Sequence, residues 1–201
     1  MRKSILSILL LFLLIVPVFS QEKWKLEKDK DGIKVWTRKV ENTKLKESKV
    51  SAVINAPIEK VVDFLRDYKN HEKISYKVDD GSVRLLKKVS NNEFYVYITA
   101  SAPLIKRRDL ITHFNIKAPD ANGVVYIVAE SCPNLIPVKE ENVRIQKMKA
   151  YWKISPLPNN KTEIIEQAFT DPAGTIPELL VNISSVDAPF YLISRMKELI
   201  K

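Results

Sequence analysis

Asp171-Pro172-Ala173-Gly174-Thr175-Ile176-Pro177-Glu178-Leu179-Leu180-Val181-Asn182 leads into the last segment of the chain, and the reading of that segment decides the fold. Thr175 is a cap residue, Pro177 suits a first helical turn because the N–H it lacks would have no partner there, and Glu178 can reach back to complete a capping box. The spacing predicts a helix from Ile176 to the C-terminus, about 37 Å at 1.5 Å per residue. Pro189 removes one internal hydrogen bond and predicts a kink. Leu179, Leu180, Ile183, Val186, Phe190 and Ile193 line one side, and Val181, Leu192, Met196 and Leu199 widen the apolar surface beyond what a helix lying on a solid surface needs. Such a helix has to be gripped.

Working back towards the N-terminus, the chain reads as a β-meander. Three of its four glycines complete turn dipeptides, Asp31-Gly32, Asp80-Gly81 and Asn122-Gly123, each a hairpin signal before β-branched or aromatic sequence. Asn91-Asn92 and Asn159-Asn160 mark two more turns, because Asn tolerates left-handed backbone. The strands predicted between them are 33–38, 44–54, 83–89, 93–102, 109–118, 124–131, 143–154 and 162–170. Several are apolar on both alternating faces, so the sheet must be covered or curl around an interior. One earlier helix follows Asn55-Ala56-Pro57, with Ile58, Val61, Val62, Leu65 and Tyr68 on one stripe. The fold class is therefore α+β, a curved antiparallel sheet gripping a long C-terminal helix. No repeat or linker divides it.

At the other end, Met1 to Lys3 is basic, 5–16 is almost unbroken apolar sequence, and Val18-Phe19-Ser20 suits cleavage before Gln21. This reads as an export signal over 1–20, followed by one domain over 21–201, and implies a periplasmic or extracellular location. Removing Arg2 and Lys3 from a net charge of +9 leaves +7. Lysines interleave with glutamates, so a solvated surface is expected, with transient contact to an anionic membrane and no nucleic-acid partner. Cys132 is the one cysteine, so no internal disulfide forms, and it reads as a small buried apolar residue. A monomer is expected.

Phosphate loops, His-Glu-x-x-His and paired-cysteine spacings are absent, and the two histidines, His71 and His113, lie far apart in sequence. No catalytic residue, metal site or cofactor is assigned. His113 reads as a strand histidine bonded to a neighbour, and Arg108-Asp109 as a structural pair whose carboxylate ties a loop, with arginine able to clamp it through two hydrogen bonds. Tyr95, Tyr97, Phe114, Tyr126, Tyr151 and Trp152 suit either a packed core or the wall of an apolar pocket.

Taken in order, Asp31-Gly32-Ile33-Lys34-Val35-Trp36, Ala56-Pro57-Ile58-Glu59-Lys60-Val61, Lys106-Arg107-Arg108-Asp109-Leu110, Val143-Arg144-Ile145 leading to Trp152 and Pro156, and the 171–182 segment resemble the START family of lipid-transfer domains. The resemblance implies a helix-grip fold with an internal apolar tunnel for one lipid-like molecule and a lid at its mouth, where Leu104, Ile105, Leu135 and Ile136 are suitable residues. Sterol-binding members place an arginine six residues beyond the one in the Arg-Asp pair, which here is Phe114, and a carboxylate at a position that falls near Tyr95. Neither charge is present, so the resemblance implies a fully apolar tunnel with tyrosine and threonine hydroxyls, for fatty-acyl or isoprenoid rather than steroid ligands. If Tyr95 and Phe114 face inward, alternation points Tyr97, Thr99, Leu110 and Thr112 inward too. Leu180, Ile183 and Ser184 complete the expected ligand-binding set.

The function expected is binding of a hydrophobic ligand, with transfer between membranes as a further step. Two alternatives stand beside it: a polyketide cyclase or aromatase on the same scaffold, which needs two titratable side chains converging inside, and a groove for a partner's apolar segment.

Overall fold

The computed structural model describes residues 23–103 and 105–200; the export signal expected over 1–20 and Leu104 lie outside the described residues. The described chain forms β1 (Lys25–Lys30), β2 (Ile33–Lys39), β3 (Lys46–Ile54), α1 (Ile58–Arg66), α2 (Lys69–Ile74), β4 (Arg84–Lys88), β5 (Glu93–Ala102), β6 (Ile105–Ile116), β7 (Val125–Ser131), β8 (Val143–Arg144), β9 (Lys147–Leu157), β10 (Lys161–Asp171) and α3 (Glu178–Leu199). All ten strands join one open curved sheet in the order β1-β2-β3-β10-β9-β7-β6-β5-β4, antiparallel throughout except that β8 pairs parallel with β6. The fold is the expected α+β helix grip.

Local departures from the sequence reading have local causes. β1 carries Lys, Glu and Asp on both faces and gives no apolar alternation; it forms because Asp31 and Gly32, at φ 54° and 70°, turn the chain back on itself at the sheet edge. Asp80-Gly81 makes a turn into β4 but no hairpin, since no strand precedes it. The 143–154 run splits in two because Val143 and Arg144 pair with β6 while Lys147–Leu157 pairs with β7 and β10. Pro57 and Pro177, not Asn55 and Thr175, occupy the N-cap positions of α1 and α3, without a side-chain cap bond. Cys132 is half-buried, not buried.

α1 packs Val61, Val62 and Leu65 into the core and lies against β9 and β10. α3, 22 residues and roughly 33 Å long, is held unevenly. Its C-terminal part buries Ile193 and Met196 completely, the helix packs on β2 and β3, and Lys197 Nζ donates to the Asp31 carbonyl in the β1–β2 turn at 2.6 Å. Its N-terminal part leaves Leu180 43% and Ile183 45% exposed.

The parallel β6–β8 pairing sets Arg144 beside Asp109. Arg144 Nε and Nη2 donate to the two Asp109 carboxylate oxygens at 2.8 and 2.9 Å, with side chains 2% and 0% exposed. The same guanidinium donates to the Ile136 and Pro137 carbonyls at 3.1 and 3.3 Å, and so fastens the 133–137 loop to the sheet. Burial would raise the Asp109 carboxyl, but the Arg144 hydrogen bonds and charge outweigh it and hold the group below its ordinary value. The clamp on Asp109 thus comes from Arg144, not from its sequence neighbour Arg108.

Candidate ligand pocket

A pocket of about 720 Å³ lies between the concave face of the sheet and α3. That volume is within the usual range for small-molecule sites. Strand register dictates which residues reach it. Val35, Val50, Glu166, Trp152, Ile127 and Ile116 are successive cross-strand partners from β2 to β6, so they share the concave face, and the last four line the pocket. Small residues, Ala129, Ala150 and Ala168, form a second row and leave the space that larger side chains would fill. Because Leu180 and Ile183 both line the pocket and are exposed, it opens to solvent along the first turns of α3.

Six of the nine expected ligand-binding residues come together here. Leu110, Thr112 and Phe114 line the pocket from β6, and Leu180, Ile183 and Ser184 from α3. Tyr95, Tyr97 and Thr99 do not. Phe94 pairs with Phe114 and Ile98 with Leu110, so on β5 the even-numbered residues face inward and the odd ones face away. Tyr95 stacks on His113, whose Nε2 lies 3.0 Å from Glu93 Oε1. Tyr97 meets Arg84 and accepts from Asn142 Nδ2 at 3.3 Å, and Thr99 Oγ1 donates to Asp79 at 2.7 Å. At the mouth, Ile105 lines the pocket, while Leu135 and Ile136 sit in the loop fastened by Arg144 and do not.

The wall is not fully apolar. Glu166 on β10, 6% exposed, lies between Val50 and Trp152, and burial alone pushes its carboxyl up to about 7. Arg108 lines the pocket with Nη2 donating to the Ala173 carbonyl at 3.3 Å, and its buried Nε has no partner; burial pulls its value down. His71 sits against Phe94 and Phe114, with Nε2 2.8 Å from the Leu65 carbonyl, and burial depresses it despite that bond. Strand alternation held the signal for Glu166: Thr162, Ile164 and Ala168 share its parity, and an acid at an inward position is out of pattern.

The family model of the START domain matches residues 18–197. The chain belongs to the START family. An uncharacterized protein of Pseudomonas aeruginosa is 30% identical to this START protein over 169 residues, 84% of this chain and 82% of that one. Among solved structures, a STAR-related lipid transfer protein fragment from Xanthomonas axonopodis superposes with a TM-score of 0.80 at 30% identity, covering 88% of this chain and 98% of that chain. Human StAR-related lipid transfer protein 5 has a TM-score of 0.75 at 18% identity over 88% and 86% of the two chains, a likeness of fold. The pocket of this START domain thus belongs to a fold that binds hydrophobic ligands. Among the described residues no helix is long and apolar enough to cross a membrane, and no three His, Cys, Asp or Glu side chains gather as a metal site would need.

Proposed function

We propose that this START protein is exported and binds one lipid-like molecule between its sheet and α3, carrying it without chemical change. The observation that supports this reading best is the pocket of about 720 Å³, lined mainly by Leu, Ile, Phe, Trp and Ala and open along α3. Desolvation drives binding there, at about 0.8 kcal/mol for each methylene taken out of water. Transfer adds a step at a bilayer, where the exposed Leu180 and Ile183 meet acyl chains and the basic surface meets anionic headgroups. Three titratable side chains, His71, Arg108 and Glu166, line the pocket from α2, β6 and β10, with His71 Nε2 at the Leu65 carbonyl and Arg108 Nη2 at the Ala173 carbonyl, and the mainly apolar wall supports carriage over chemistry.

The test is native mass spectrometry of the exported, detergent-free protein, followed by mass analysis of its organic extract. One apolar molecule per chain is expected. Ala168→Trp, which fills the pocket from the β10 side, is expected to reduce its occupancy at least tenfold while circular dichroism stays unchanged. An empty parent protein that also takes up no neutral fluorescent lipid probe rejects carriage; full occupancy in Ala168→Trp places the ligand elsewhere.

A further inference from the structure

Glu166 is the only acidic residue lining the pocket among the described residues. Its side chain is more than nine-tenths buried, its neighbours on the same face are Val50 and Trp152, and among the described residues no hydrogen bond to its carboxyl is found. α3, which closes the pocket over the sheet, contributes apolar residues with Ser184 and Ser185 and, among the described side chains, no charged one. The other charged or titratable groups on the wall are Lys46, His71, Tyr76, Lys77 and Arg108. Lys46 lies within reach of Glu27 at 3.5 Å, and His71 is bonded to the Leu65 carbonyl. A buried carboxyl with acceptor capacity and no donor is costly to maintain. A bound molecule that supplies a donor relieves that cost.

We infer that Glu166 is the polar anchor of the pocket and selects apolar ligands whose polar end carries a hydrogen-bond donor, a hydroxyl or an amino group, over those ending in a carboxylate. This rests on the binding function proposed above and names the ligand class for it. The aliphatic part lies along Trp152, Ile127 and Ile116, and the donor meets the Glu166 oxygens. A fatty-acid carboxylate brings a second acceptor and a second negative charge to the same place and is rejected. Arg108, near the 172–177 loop, offers the opposite chemistry, and the two anchors predict opposite orders of affinity.

The experiment is displacement of the neutral probe diphenylhexatriene by dodecylamine, 1-dodecanol and dodecanoic acid at about pH 8, on the parent protein, Glu166→Gln and Glu166→Leu. In the parent, the amine is expected to displace the probe at lower concentration than the alcohol, and both at roughly tenfold lower concentration than the acid, as a charge-assisted hydrogen bond allows. Glu166→Gln loses the preference for the amine over the alcohol. Glu166→Leu loses the preference for the amine over the alcohol and the acid and still binds the probe. Equal displacement by all three, tightest displacement by the acid, or an amine preference that survives in Glu166→Leu overturns the assignment while leaving the binding pocket standing. Failure of the probe to enter the parent overturns the pocket function and this inference together.

Discussion

Replacing Glu166 by leucine is expected to make the protein more stable, by an amount that grows by about 3 kcal/mol between about pH 4 and pH 8. The carboxyl titrates at about 7 when folded against 4.5 as its ordinary value, because the apolar wall disfavours its charge. Between those values the folded protein holds a proton that the unfolded chain has released. Stability contributed by this group therefore falls as pH rises through that window and is flat above about 7. His71 works in the opposite sense: burial lowers it, so the unfolded chain holds the extra proton and stability rises with pH up to its ordinary value of 6.5. The difference between parent and Glu166→Leu in urea unfolding removes the His71 contribution, which is common to both. Two parallel pH profiles would show that water or a donor reaches the carboxyl.

Arg144→Met is expected to cost about 3–5 kcal/mol, because it leaves the Asp109 charge buried with its main partner gone. The side chains are 2% and 0% exposed and joined by two parallel hydrogen bonds, the geometry in which a guanidinium contributes most. The same change releases the 133–137 carbonyls, so limited proteolysis should cut that loop first. Adding Asp109→Leu to Arg144→Met removes the stranded charge and is expected to recover a large part of the loss. A double-mutant cycle in urea measures the coupling; additive losses would mean the pair contributes through packing alone.

The gripping helix and the meander were legible because their signals are local: an apolar surface too wide for one contact, and Gly and Asn at positive φ. The pocket wall was legible on β6, where Leu110, Thr112 and Phe114 do line it, and on α3. It was not legible on β5. Phe94, Val96 and Ile98 alternate with Tyr95, Tyr97 and Thr99, so both faces satisfy a buried strand, and only the register Phe94 to Phe114 decides between them. The outward face is apolar for its own reason, since Arg84, Lys87 and Asn142 cover its tyrosines. β1 and β8 could not be read because pairing partners, not their own patterns, hold them in the sheet. Arg144 looked like an ordinary strand residue until parallel pairing set it beside Asp109.

Among the described residues, the firmest anchors of α3 lie at its carboxyl end. Ile193, Met196 and the Lys197 bond to the β1–β2 turn hold its carboxyl end, Pro189 interrupts its hydrogen-bond ladder, and Leu180 and Ile183 stand half in water at the other end. The helix is a cantilever whose root is set in the sheet and whose free tip overhangs the pocket. Lifting the tip would open the pocket while Ile193 and Met196 stay packed in the core. On the carrier reading proposed above, loading and unloading would have a direction built in: cargo would pass Leu180 and Ile183, the exposed apolar residues at the mouth.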